Sequence, residues 1–86
     1  MRMRVKDCIT LTERAAGLPK DSLYLPTRIQ QISRPRQAAM LLARETGNSL
    51  SHIARVLSVD HTSVMYGIEA AKKRRNEVLE HMRAER

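Results

Sequence analysis

The sequence predicts an all-α fold, a small helical bundle. Apolar residues recur at helical spacing from one end of the chain to the other, and no run of alternating β-branched residues interrupts them. The 86 residues suffice for one modest core and leave no room for an enclosed catalytic cavity. Nothing repeats, no segment is low in complexity and no Gly/Ser linker divides the chain, so residues 1–86 read as a single domain.

A first helix is expected over about Met3 to Ala16. Val5, Ile9 (or Cys8), Thr12 and Ala16 share one stripe, and Gly17 and Pro19 supply the stop. Pro19, Pro26 and Pro35 then bracket a stretch of little periodicity. Within it Asp21-Ser22-Leu23 suits a short helical turn, and Leu25 to Ser33 reads as a loop with Arg28 at its exposed centre. Pro35 suits the first turn of a second long helix, where a missing N–H costs nothing. Ala38, Ala39, Leu42 and Ala43 form its buried stripe and Gly47 ends it.

Ser49 is the N-cap expected for a short third helix with Leu50, Ile53, Ala54 and Leu57 on its inner face. The connection Ser58-Val59 leads to Asp60, the N-cap of a last helix. On that helix Val64, Ile68, Ala71, Val78 and Met82 recur along one face. Past Arg75, Glu77, Glu80 and Glu85 give a tail of mixed charge that either extends the helix or frays.

Sixteen Lys and Arg against nine Asp and Glu give a net charge of +7 and a pI near 10.5. A charge of that sign favours a polyanionic partner, nucleic acid or an acidic membrane surface. A lone cysteine, Cys8, excludes a fold stapled by internal disulfides and is expected as a small buried hydrophobe. No apolar run approaches the roughly 20 residues of a membrane span, and residues 1–7 are too polar for a signal peptide. The expectation is a soluble cytoplasmic protein with no membrane partner. With two tyrosines and no Phe or Trp, the chain offers little for unpaired bases to stack on. Duplex DNA read by a helix fits better.

Chemistry-bearing patterns are missing. His52, His61 and His81 show no metal-ligand spacing with Cys8. There is no paired-carboxylate, Ser–His–Asp or Cys–His arrangement, and no G-x-x-x-x-G-K-[ST] phosphate loop. Neither a metal, a cofactor nor enzyme activity is expected.

The informative feature is the pair of helices at 49–58 and from 60 onward. The first is short, the connection is brief, and the second opens on small polar side chains before turning amphipathic. A helix-turn-helix needs that order: polar groups at the start of its second helix to meet base edges, apolar groups further on to pack against the first.

The segments Ser33-Arg34-Pro35-Arg36-Gln37-Ala38-Ala39-Met40, Leu42-Ala43-Arg44-Glu45, Ser49-Leu50 with Ile53-Ala54, and Asp60-His61-Thr62-Ser63-Val64 follow one another in that order. In this the chain resembles the C-terminal DNA-binding domain of the bacterial replication initiator DnaA, a Trp-repressor-like helix-turn-helix, over about Lys6 to Arg75. The resemblance implies that Asp60, His61 and Thr62, with Ser63 beside them, enter the major groove. It implies that the loop arginine, by spacing Arg28, reaches the adjacent minor groove, and that Arg36 and Arg44 grip phosphates. Arg34, Ser49, Lys72 and Lys73 complete the set of phosphate candidates. The resemblance also implies monomeric binding in the bacterial nucleoid. The chain departs from the family at Val59, where a basic residue is usual, in a shortened connection, and in a less basic loop at residues 25–30. These departures touch target preference more than scaffold.

Each candidate has two chemistries open to it. Asp60 can accept from a cytosine amino group, or simply cap the helix; its two oxygens allow both. His61 can touch a thymine methyl or a phosphate, or stand as an exposed imidazole. Thr62 and Ser63 can donate to base edges or phosphates, or only support the cap. Arg28 gains from the negative potential of a narrow A·T-rich groove, or is one more solvated arginine. Arg36 and Arg44, eight residues apart, share one helix face that either follows a phosphate strand or faces water. The run Lys72-Lys73-Arg74-Arg75 can bind phosphate at the far end of the recognition helix, recruit another acidic surface, or form a solvated face. The expected function is sequence-specific duplex DNA binding by a transcription-regulating module, of the kind found in a phage-derived gene system. The alternatives are replication-linked binding of initiator-type boxes without ATPase activity, with replication proteins as partners, and a basic helical adaptor for an acidic protein.

Overall fold

The structure is a computed structural model that describes residues 2–84. The first helix, α1, spans Val5–Ala16, two residues shorter at its start than the spacing predicts. Its end is built as expected: Gly17 sits at φ 69° and donates to the Arg14 carbonyl at 3.2 Å, while the Leu18 N–H returns to Glu13 at 2.9 Å. The buried face is Val5, Cys8, Ile9 and Glu13, with Thr12 half-buried and Ala16 exposed, contrary to the expected stripe. A glutamate takes the inward position because its carboxylate has a use there. Glu13 Oε2 accepts from the Leu23 N–H at 3.1 Å. This fastens a 3-10 turn, Ser22–Tyr24, whose Leu23 is a fully buried plug.

The second helix, α2, spans Gln30–Glu45. It begins five residues before Pro35, and the loop expected to run from Leu25 to Ser33 ends at Ile29. Two effects outweigh the proline. The Thr27 hydroxyl accepts from the Ile29 N–H at 3.2 Å, and the Ile29 carbonyl accepts from Ile32 and Ser33 at 2.9 and 2.8 Å, which starts the helix early. The extra turn then lays Ile32 against the core. Pro35 removes only the rung to Gln31, an exposed residue whose carbonyl can turn to water. The buried residues are Ala39, Met40, Leu41 and Ala43; Leu42 is half-buried and Ala38 exposed. This stripe is broader than expected on one side because α2 is the central helix, packed by α1, the 3-10 turn and both later helices. Gly47, at φ 105°, carries the chain out of it.

The third helix, α3, spans Leu50–Leu57, capped by Ser49 Oγ on the His52 N–H at 3.1 Å. It buries Ile53, Ala54 and Leu57. The last helix, α4, spans His61–Ala84. It buries Val64, Gly67, Ile68 and Ala71 but leaves Val78 and Met82 exposed, although they lie on the same stripe. The reason is length: at 1.5 Å per residue α4 is about 36 Å long and α2 about 24 Å, so α4 outruns what it packs on. The molecule is accordingly 41 Å along one axis and 26 and 25 Å along the others.

Ile53 and Val64, both fully buried, lie in the core shared by α3 and α4. Gly67 lets α4 approach α2: a Cβ there would sit 2.6 Å from Met40 Sδ and 3.3 Å from Gln37 Cγ. The described residues form helices and turns without strands, and no helix is long and apolar enough to cross a membrane.

Candidate nucleic-acid interface

The turn between α3 and α4 fixes where α4 begins. Ser58 adopts a left-handed conformation at φ 55°, donating to Arg55 at 3.3 Å, and the Val59 N–H returns to Ala54 at 3.0 Å. Helix ends commonly close this way, although glycine is the usual residue at such a φ. Val59, half-buried, packs against the core. The position that is usually basic in the resembled family is therefore part of the scaffold here.

Asp60 starts α4 from both its backbone and its side chain. Its carbonyl accepts from the Val64 N–H at 3.2 Å, and Oδ1 accepts from the Thr62 N–H at 3.3 Å. The capping bond orients the carboxylate and engages one oxygen. His61, Thr62 and Ser63 follow, all exposed, and Val64 turns inward at 0% exposure. The first turn of α4 thus presents a polar, uncovered surface backed by packed apolar side chains. Helix N–H groups at that end add a partial positive charge.

Two exposed residues continue this surface: Tyr66, which the sequence reading did not place in the site, and Met65, whose spacing suggested a packing residue. Met65 is 46% and Tyr66 72% exposed. The signal was available, since Tyr66 lies four residues after Thr62 and three after Ser63, on the same helix face.

Arg28, exposed just before α2, is brought to this surface. It lines an open groove of about 530 Å³ together with Thr27, Arg36, Gln37, Ser63 and Tyr66. Arg36 performs a second task as well. Its Nε donates to the Leu23 carbonyl at 3.0 Å and its Nη2 to that of Leu25, tethering the segment that leads to Arg28. Burial pushes the Arg36 guanidinium below its ordinary pKa, though an arginine keeps its proton throughout the working range.

The remaining candidates are distributed differently. Arg44 and Ser49 sit together at the α2–α3 turn, where Arg44 Nη1 donates to the Asn48 carbonyl at 3.1 Å. Arg34 lines a separate groove with Ala16, Leu18 and Pro35 and is not brought to α4. Lys72 and Lys73 are exposed about 16 Å along α4 from its first turn, at 1.5 Å per residue. Lys72 has only a loose 3.8 Å pair with Glu69. The two arginines of the same run turn towards α2: Arg74 donates to Gln37 at 2.8 Å and Arg75 pairs with Glu45 at 3.0 Å. Among the described residues, no group of three His, Cys, Asp or Glu side chains could hold a metal ion.

A family model, the bacterial DnaA protein helix-turn-helix, matches residues 5–71, from the start of α1 to the last buried residue of α4. No curated protein and no solved structure matches the chain significantly.

Proposed function

The chain belongs to the bacterial DnaA helix-turn-helix family, and on that premise we propose that it binds double-stranded DNA in a sequence-specific manner through the first turn of α4. The observation that carries this reading is the uncovered polar turn at residues 60–63, held by a capped, tightly closed α3–α4 connection beside the Arg28 groove. The second helix of such a motif inserts by its N-terminal residues. In this reading the free oxygen of Asp60 takes a cytosine amino proton, and Thr62 and Ser63 meet base edges or flanking phosphates. Tyr66 and Met65, one turn further in, add apolar contact to a thymine methyl or a sugar. Arg28 enters the neighbouring minor groove, and Arg44, Ser49 and Lys73 hold phosphates.

The role we assign is that of a transcription-regulating module. A replication-linked role at initiator-type boxes uses the same surface, and mapping the bound sites along the host chromosome separates the two. Selection of bound duplexes from a random pool, followed by titration across salt concentrations, tests the binding itself. Affinity falls with salt at a log–log slope of about −0.9 per phosphate neutralised. Asp60→Ala and Thr62→Ala each narrow the preference for the selected duplex over a scrambled one by about 1–3 kcal/mol where they read a base. A salt-insensitive affinity would instead identify a protein partner, and equal weakening on all duplexes would reduce both residues to positioning.

A further inference from the structure

A second concentration of positive charge lies where α2 turns into α3, and the extended segment ahead of α1 crosses it. Asn48, 3% exposed, donates Nδ2 to the Met3 carbonyl at 2.8 Å and to Ala43 at 3.0 Å. A buried amide thus fastens residues 2–4 to the corner. The stem of Arg2 lies over Gly47, where a Cβ would come within 3.3 Å of Arg2 Cδ and 3.4 Å of Cγ. Arg2, Arg4 and Lys6, all exposed, line an open groove of about 510 Å³ with Asn48, His52 and Val56, and no acidic side chain lines it. Arg44 abuts the same corner through its bond to the Asn48 carbonyl, and the N-terminus of α3 opens there. Arg2 and Arg4 precede the residues that the family model matches, so the family likeness does not account for them.

We infer that this corner is a second backbone-binding surface, on which Arg2, Arg4 and Lys6 hold phosphates of the duplex strand flanking the bases read by α4. The inference rests on the DNA-binding reading above and extends it to a second basic surface. The spacing agrees. The helix that starts at the corner, α3, is only about 12 Å long and leads directly into the turn that opens α4, so the corner lies one short helix from the reading surface. The Arg28 groove shares no lining residue with this one, so the two are separate basic surfaces. An arm fixed by Asn48 presents its cations already ordered, which lowers the entropy lost on association.

The test compares three proteins on the selected duplex between 50 and 200 mM KCl: the unaltered chain, an Arg2→Gln/Arg4→Gln variant, and a charge-matched Arg14→Gln/Arg83→Gln variant. In the first variant the log–log salt slope becomes shallower by about two units, at ~0.9 for each phosphate no longer neutralised. Its ratio of affinities for selected and scrambled duplexes, and its thermal melt, stay as in the unaltered chain. The charge-matched variant keeps a slope within about half a unit of the original, because its cations lie away from the corner. An unchanged slope in the first variant, or an equal change in both, overturns the inference while leaving the DNA-binding reading intact. Preserved DNA binding with loss of adhesion to anionic vesicles overturns it in favour of a lipid surface. Failure of the unaltered chain to bind any duplex removes the DNA-binding reading itself, and this inference with it.

Discussion

Replacing Gly67 with alanine sets two opposing effects against each other. Glycine inside a helix costs roughly 1 kcal/mol relative to alanine, so on propensity alone the substitution should stabilise α4. Against it stands the 2.6 Å separation between the new methyl and Met40 Sδ, with Gln37 Cγ at 3.3 Å. Favourable non-bonded separations lie near 3.5–4.0 Å, so the sulfur must retreat by about 1 Å. Met40 is only 4% exposed and belongs to the core, with one side bordering the Arg28 groove. Overpacking of this size costs about 1–3 kcal/mol, so Gly67→Ala is expected to destabilise by about 1 kcal/mol net. With Met40→Ala already in place, the sulfur is gone and the same change should stabilise by up to about 1 kcal/mol. The coupling between the two sites is therefore about 2 kcal/mol, large for a pair without a polar interaction. Urea unfolding followed by helical circular dichroism on the four proteins of the cycle measures it. Should Gly67→Ala have the same effect in both backgrounds, the close approach of α4 to α2 does not require the glycine, and the steric explanation is refuted.

Three further outcomes follow from local geometry. Ser58→Gly relieves a left-handed backbone at φ 55° and should raise stability by about 0.5–1 kcal/mol in the same unfolding assay without changing affinity for DNA, by the strain argument for αL residues. Glu13→Ala strands the buried Leu23 N–H and should cost about 1–3 kcal/mol, whereas Glu13→Gln keeps an acceptor and should cost clearly less; equal losses would show that the 3.1 Å bond is not what stabilises the turn. Arg28→Ala should weaken binding to duplexes with A·T-rich flanks more than to those with G·C-rich flanks, as a narrow minor groove requires; an effect independent of flank composition would place Arg28 on phosphates instead.

The helix-turn-helix was legible because its punctuation is local. Ser49 and Asp60 accept from N–H groups two or three residues ahead, and the apolar residues 53, 54, 57, 64 and 68 keep strict helical spacing. Where tertiary contact decides, local signals misled. Pro35 has every feature of a helix start, yet burial of Ile32 against the core extends α2 past it. Glu13 looks like a surface residue until the Leu23 N–H is brought beneath it. Val78 and Met82 continue a buried stripe in sequence but not in space, because burial needs an opposing helix as well as a pattern. The site divides along the same line. Residues 60–63 are contiguous and were readable, while the nearness of Arg28 to Ser63 and Tyr66 depends on how closely α4 approaches α2. The fastening of residues 2–4 by Asn48 spans 45 positions and leaves no periodic trace.

The double attachment of Arg36 to the carbonyls of Leu23 and Leu25 bears on how a genetic screen of this protein would read. The strand of chain bearing Arg28 hangs from α2 by that guanidinium, so substitutions at Arg36 should reproduce the phenotype of losing Arg28 even where Arg36 itself makes no contact with the ligand. Such a screen would group the two arginines as one functional unit, and lysine would fail at the inner position, since a single ammonium cannot reproduce the planar fork that spans two oxygens.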